Sequence, residues 1–503
     1  MHSARNVIVG SLLAFAVLVG LLLWQPRSPG RSDASGGTLA KPLLVYCAAG
    51  MKAPMEAIAH SYQRRFGVPV QLQFGGSGTL LSNLRVSRQG DLFLAADDSF
   101  LDLARSNRLV AETLPLARMT PVIAMKKGAG SRFKTLADLG QDGVTLALAN
   151  PEAAAIGKVC RDLLQRAGRW DTLQPRIKVL KPTVNDLAND VKLGTVDAAF
   201  VWDSTVAQYP ELEAVHVPEL DSGVASVSLA VLASTTQPTA ALRFARFAAA
   251  RDAGLTEFER HHFTVVRGDV WSEAPEVLLF SGGVNRLAIE DTLRRFEERE
   301  GVKVTRVYSG CGILTAQIRS GQRPDGYFAC DVSFMNSVSD YFRPAVNLAQ
   351  TRMVILTRKG NPQNLRSLAD LTKPGLVLGV ANEQQSALGS LTARVLRSQG
   401  VFERVMTNVK VQTPTADLLV NQIRTGSLDA VVVYTANTSQ VRDLLDVIEL
   451  PESEALAIQP YAIGRNSDHA HLMDRLLAAL RSRESRQRFE EVGFRWRAPA
   501  ETP

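Results

Sequence analysis

Apolar residues along this chain switch repeatedly between two periods. Leu43-Leu44-Val45-Tyr46 is a short apolar run closed by Ala48-Ala49-Gly50, which predicts a buried strand ending in a tight turn. Met55, Ile58, Ala59, Tyr62 and Phe66 then recur at helical spacing, Gly67 marks a stop, and Val68-Pro69-Val70-Gln71-Leu72-Gln73-Phe74 alternates as a second strand. The turn Gly75-Gly76-Ser77-Gly78 opens another helical pattern (Leu80, Leu81, Leu84, Val86), and Asp91-Leu92-Phe93-Leu94 supplies the next strand. Alternation of this kind continues through residues 144–149 to residues 196–201. It predicts an α/β fold with mainly parallel sheets.

The whole pattern occurs twice. With an offset of 234 (311 minus 77), Gly75-Gly76-Ser77-Gly78-Thr79-Leu80 falls on Ser309-Gly310-Cys311-Gly312-Ile313-Leu314. Asp91 falls on Asp325, and Ala95-Ala96-Asp97 on Ala329-Cys330-Asp331. Further on the offset becomes 232, so that Ala149-Asn150 matches Ala381-Asn382, Pro182-Thr183 matches Pro414-Thr415, and Asp197 with Trp202 matches Asp429 with Tyr434. One small loop deletion accounts for the drift. A period this long reflects duplication of a whole globular domain, not a solenoid. The expected domains are residues 42–268 and 275–497, each large enough to bury a core or split into two lobes.

Ahead of them, Val7 to Trp24 is an uncharged apolar run of 18 residues preceded by Arg5. Residues 1–25 are read as an uncleaved membrane anchor, with a cleaved signal peptide as the alternative, and residues 26–41 as a Gly/Ser-rich flexible linker. Arg27 and Arg31 after the run compete with Arg5 before it under the positive-inside rule; export of the duplicated part is the expectation, tied to the inner membrane under the anchor reading.

Charge and cysteines narrow the function classes. A net charge of +7 is mild for 503 residues and carries no basic run, so no nucleic-acid partner is expected. The four cysteines, Cys47, Cys160, Cys311 and Cys330, show no CxxC spacing. No disulfide is expected between Cys311 and Cys330, because neither has a cysteine counterpart in the first copy. Gly75-Gly76-Ser77-Gly78-Thr79 misses the nucleophile-elbow pattern at Thr79, and no P-loop occurs. His261-His262 and the pair His469 and His471 lack flanking metal ligands. The chain is therefore expected to be neither an enzyme nor a cofactor or metal protein.

Small-residue turns follow the predicted strands at Ala48-Ala49-Gly50, at Gly75 to Gly78 and at Ala153 to Gly157. In α/β folds ligands collect at such strand ends, where helix N-termini present free N–H groups to an anion. In their order and spacing these marks, with Gly90-Asp91-Leu92-Phe93-Leu94-Ala95-Ala96-Asp97, Asn150-Pro151 and Asp197-Ala198-Ala199-Phe200-Val201-Trp202, resemble one known family. It is the type II periplasmic solute-binding proteins of ABC transporters, most closely the molybdate-binding branch. The resemblance covers about residues 42–265 and 276–497.

That resemblance implies two tandem type II domains, each of two α/β lobes with a ligand cleft between them. In the family a tetrahedral oxyanion is held without counter-charge by hydroxyls and backbone N–H groups from five places, two on one lobe and three on the other. The corresponding ligand-binding positions here are Gly50, where the family usually has serine, Ser77, which matches the family serine, Ile156 and Val184 as backbone donors, and Trp202 in place of a tyrosine. In the second copy they are Val284, Cys311, Leu388, Ala416 and Tyr434. Asp203, beside Trp202, would repel an anion if it faced the cleft, and Lys52 and Arg286, at one shared position, could supply positive charge. The implied function is capture of a small oxyanion, molybdate or tungstate, and its delivery to an ABC permease. The alternative is a sensor or scaffold in which one or both copies have left transport.

Overall fold

The structure is a computed structural model that describes residues 40–130, 133–450 and 455–498. The anchor or signal reading of residues 1–25 and nearly all of the linker fall outside the described residues. Among those described, no helix is long and apolar enough to cross a membrane.

In the first copy β1 (Leu43–Ala48), β2 (Val70–Gly75) and β3 (Leu92–Leu94) begin one sheet; β4 (Val110–Met119) joins it. β5 (Pro121–Lys126), β6 (Leu146–Ala149), β7 (Ile177–Lys181), β8 (Ala198–Trp202) and β9 (Leu212–Val215) make a second sheet in the order β7-β6-β8-β5-β9. β10 (Ala225–Leu232) and β11 (Thr264–Val265) return to the first, whose order is β11-β4-β10-β3-β1-β2. Two sheets, each covered by helices, make two lobes.

The sheets are mixed, where the sequence pattern predicts mainly parallel ones. β1 pairs parallel with β2 and β3, and β6 with β7 and β8. β10, however, runs antiparallel to β3 and β4, and β5 antiparallel to β8 and β9. The reason is the crossing between lobes: the chain leaves through β4 and β5 and comes back through β10, and a returning strand beside a departing one is antiparallel.

The second copy repeats this plan with β12 (Glu276–Gly282), β13 (Lys303–Ser309), β14 (Gly326–Phe328), β15 (Val346–Arg358), β16 (Leu378–Ala381), β17 (Val409–Thr413), β18 (Ala430–Tyr434), β19 (Leu445–Glu449), β20 (Leu456–Ile463) and β21 (Arg495–Trp496). Here one 13-residue strand, β15, does the work of β4 and β5 together, pairing with β20 in one lobe and with β18 in the other. Pro121 splits the first copy's strand because it has no N–H for the ladder; Met353, its counterpart opposite Tyr434, leaves β15 unbroken.

Local chemistry explains why the elements recur. The helix Lys52–Phe66 stops at Gly67 with φ of 70°, and its counterpart Arg286–Glu300 stops at Gly301 with φ of 65°, a left-handed conformation that costs glycine least. The recurring aspartates tie strands together. Asp91 accepts the Leu44 N–H at 2.9 Å and Asp325 the Leu278 N–H at 2.8 Å. Asp197 accepts from Thr145 N–H at 2.8 Å and Asp429 from Val377 N–H at 2.9 Å. Each lies at the start of a strand and satisfies a donor that the neighbouring strand would otherwise leave open.

Buried apolar side chains gather into one core within residues 43–263 and another within 277–498. Where the copies meet, Glu300 is 2% exposed and held by two arginines. Arg475 reaches its Oε1 through Nε at 2.6 Å, and Arg246, from the helix Pro238–Ala248 of the first copy, reaches Oε2 through Nη1 at 3.0 Å. Arg299 with Glu112 and Arg251 with Asp468 bridge the same junction.

Candidate functional site

Five positions singled out in the first copy come together. Gly50, Ser77, Ile156, Val184 and Trp202 all line one cleft between the two lobes, with Ala48, Gly75, Gly76, Ala96, Ala154 and Thr183 among their neighbours. Gly50 and Ser77 belong to the lobe of β1, the other three to the lobe of β6. None of the lining residues is charged. The cavity is small, about 20 Å³, which is room for about one water molecule.

Helix ends build its polar surface. Ser77 is the first residue of the helix Ser77–Ser87, Val184 the first of Val184–Leu193, and Ile156 the second of Ala155–Arg166. N–H groups in a first turn have no intrahelical acceptor and carry the positive end of the helix dipole. The Ser77 hydroxyl accepts the Ala96 N–H at 3.0 Å, so its own proton is left to donate. The lobes touch directly above: the Gly78 N–H donates to the Ala153 carbonyl at 2.8 Å, and a Cβ on Gly78 would overlap the Glu152 carbonyl oxygen.

Gly50 and Trp202 vary as a pair. A Cβ on Gly50 would stand 3.2 Å from Val184 Cγ1, a tight approach, and in van der Waals contact with Trp202 Cδ1 at 3.9 Å, so a side chain at position 50 would press first on Val184 and lie against the indole. The same point lies 3.9 Å from the Thr205 hydroxyl, which is buried and has no hydrogen-bond partner among the described residues. Sequence reasoning misses Thr205. It sits past the strand, and its counterpart is Asn437, so the repeat carries no cue.

The charged candidates lie off the cleft. Lys52 is half-exposed, pairs with Glu56 at 3.9 Å and rests over Phe74 at 5.5 Å; Arg286 repeats this with Glu290 at 3.9 Å and Tyr308 at 5.5 Å. Asp203 accepts the N–H of Ser204 at 2.7 Å and is not among the lining residues. Burial pushes its carboxyl above the usual range, offset in part by the hydrogen bonds around it and by His216.

In the second copy Val284, Leu388, Ala416 and Tyr434 line a cleft of about 10 Å³, together with Ser309, Gly310, Cys330, Ser386 and Thr415. The Tyr434 hydroxyl is buried and has no partner among the described residues. Cys311 is not part of the lining. Its sulfur faces Cys330 Sγ at 2.9 Å, although the sequence offers no reason to pair them. As in the first copy, the lobes meet backbone to backbone, here from Gly312 N–H to the Gln385 carbonyl at 3.0 Å.

Larger cavities exist, one of about 940 Å³ at the junction between the copies and one of about 490 Å³ beside Asn382 and Phe402. Neither gathers the predicted positions.

The profile of a family described as bacterial extracellular solute-binding protein matches residues 43–264 and again residues 277–495. A binding protein of Haemophilus influenzae is 30% identical over 165 residues, 33% of this chain and 67% of that one. The molybdate-binding protein ModA of Mycobacterium tuberculosis is 29% identical over 199 residues, 39% of this chain and 74% of that one. Among solved structures, the periplasmic molybdate-binding protein of Azotobacter vinelandii aligns with 45% of this chain and 100% of its own, at 18% identity and a TM-score of 0.40.

Proposed function

The chain belongs to the bacterial extracellular solute-binding proteins, matched twice along its length, and from that premise we propose that it captures a small tetrahedral oxyanion of the molybdate or tungstate type and delivers it to an ABC permease. The observation that carries this reading is the first cleft, where helix N-termini from both lobes and the free Ser77 proton surround a small space without a carboxylate or a cation in its lining. Fixed dipoles of this kind replace the hydration of an anion when the lobes close, and an uncharged lining discriminates by geometry. The molybdate-binding relatives support the ligand class. Residues 42–268 and 275–497 are the two solute-binding domains, and Gly50, Ser77, Ile156, Val184 and Trp202 are the positions in contact with the ion.

Four-oxygen anions need more room than one water, so capture requires the lobes to part and then close on the ligand. The second cleft is tighter still and offers no hydroxyl where Ser77 stands. That difference favours, for the second copy, a role in signalling or in scaffolding the permease contact.

Titration calorimetry of the chain against molybdate, tungstate, sulfate and phosphate tests the reading. The expected result is one tight site per chain for at least one of them. Absence of heat with all four, combined with capture of a neutral or cationic solute, overturns the ligand class.

A further inference from the structure

Three aligned positions differ between the copies in a way that makes sense only together. The first copy has Ala48, Ser77 and Ala96; the second has Gly282, Cys311 and Cys330. Local geometry is otherwise kept: the Ala96 N–H donates to Ser77 Oγ at 3.0 Å, and the Cys330 N–H donates to Cys311 Sγ at 3.1 Å. A Cβ on Gly282 would overlap Cys330 Sγ and come within 3.1 Å of Cys311 Sγ. Two sulfurs have entered where one methyl group has left.

We propose that Cys311 and Cys330 are a redox-active dithiol in the wall of the second cleft, converted to an intramolecular disulfide by peroxides.

Their sulfurs stand 2.9 Å apart, closer than an ordinary thiol–thiol hydrogen bond brings them, and both belong to the same lobe. Bond formation therefore needs a small side-chain rotation and no movement of one lobe against the other. Cys330 lines the cleft and the Cys311 sulfur lies directly behind it, so a small oxidant that enters when the lobes part passes Cys330 to reach Cys311. The two thiols are also unlike. Burial is the largest influence on Cys311 and opposes its ionisation, yet the contacts with the Cys330 thiol, the Cys330 N–H and Tyr327 together outweigh it and hold that thiol below its ordinary pKa. Cys330, as the partner of that bond and buried besides, is held well above. A thiol that ionises more readily beside one that keeps its proton is the asymmetry that condensation uses. The Cys311 thiolate attacks hydrogen peroxide, the O–O bond breaks, and a sulfenic acid and hydroxide result. The Cys330 sulfur then displaces the sulfenic oxygen as water, with its proton passing to that oxygen, so two thiols and one peroxide give one disulfide and two waters. An extracytoplasmic setting, shared by the family, is one in which such a bond persists.

Cys47 and Cys160 serve as internal controls, since both are fully buried and burial raises both thiols. The full chain, reduced and then exposed to hydrogen peroxide, is quenched, denatured and alkylated, and its peptides are mapped by mass. The expected result is loss of two of four alkylatable thiols and a cross-linked peptide pair joining Cys311 to Cys330, reversed by dithiothreitol. C330A, which restores the residue the first copy carries, should lose the cross-link while Cys47 and Cys160 stay alkylatable. Any product in which the Cys311–Cys330 pair is absent from the wild type, whether four free thiols, over-oxidised cysteine or a bond to Cys47 or Cys160, overturns the proposal. No solute enters the measurement, so its outcome is independent of what either cleft binds.

Discussion

Gly78 of one lobe donates its N–H to the carbonyl of Ala153 on the other at 2.8 Å, and Gly312 makes the same bond to Gln385 at 3.0 Å. The two lobes of each copy are thus latched by backbone at the mouth of the cleft. Only a residue without a side chain allows this approach, because a Cβ on either glycine would overlap the opposing carbonyl oxygens of Glu152 or Gln384. Glycine recurs here for a reason of closure, which substitution at Gly78 tests.

Gly78→Ala should hold the first cleft ajar. A hydrogen bond of this kind contributes about 0.5 to 1.5 kcal/mol, so solute affinity should fall by roughly threefold to tenfold. Small-angle scattering with saturating oxyanion should show the variant more extended than the wild type. Unchanged affinity and an unchanged scattering curve would show that the latch plays no part in capture.

Ser77→Ala removes the one side-chain hydroxyl in the first cleft whose acceptor side is occupied and whose proton is free. Loss of a hydrogen bond to a charged group costs about 1.5 to 3 kcal/mol, so binding should weaken by about tenfold or more. Calorimetry measures this directly. Equal affinity of the two proteins would exclude Ser77 as a ligand contact.

Asp203→Asn should leave oxyanion affinity within about twofold of wild type, since a screened charge outside the cleft contributes little. Its carboxylate caps the Ser204 N–H and lies off the lining. Marked strengthening of binding by this substitution at neutral pH would show that the charge reaches the ligand after all.

Glu300 links pH to the junction of the copies. Burial alone would raise its pKa, but Arg475 and Arg246 outweigh it and hold the carboxyl below the usual range. A carboxyl with a depressed folded-state pKa contributes stability above its unfolded pKa, and that contribution is lost as pH falls through the folded value. Urea denaturation should therefore show a stability loss on acidification below the ordinary carboxylate range that Glu300→Gln abolishes. At neutral pH that variant should be less stable by about 3 to 5 kcal/mol, because two buried arginines lose their counter-charge. Parallel pH profiles for both proteins would remove Glu300 from this role.

Local pattern marks the turns at residues 48–50, 75–78 and 153–157, while Val184 and Trp202 follow only from the family resemblance. Five positions spread over more than 150 residues of sequence meet in one cleft because each lies at or just beyond the carboxyl end of a strand, where ligand clefts in α/β folds form. Asp91 and Asp197 were legible as recurrent but not as structural. Their role shows only when Leu44 and Thr145 are seen to donate to them from the neighbouring strands. Thr205 left no trace in the repeat, since its value lies in facing Gly50 and not in any spacing of its own.

By itself the sequence determines the duplication, the order of strands and helices, and the turns that face the cleft. Each depends on hydrophobic period and turn chemistry within a few residues, and both are written locally. Tertiary structure alone decides that the sheets are mixed, that Lys52 and Asp203 turn away from the cleft, that Arg246 and Arg475 converge on Glu300, and that Cys311 meets Cys330. These outcomes depend on which side chains point at one another across long stretches of chain, a property of packed distances that no periodicity encodes.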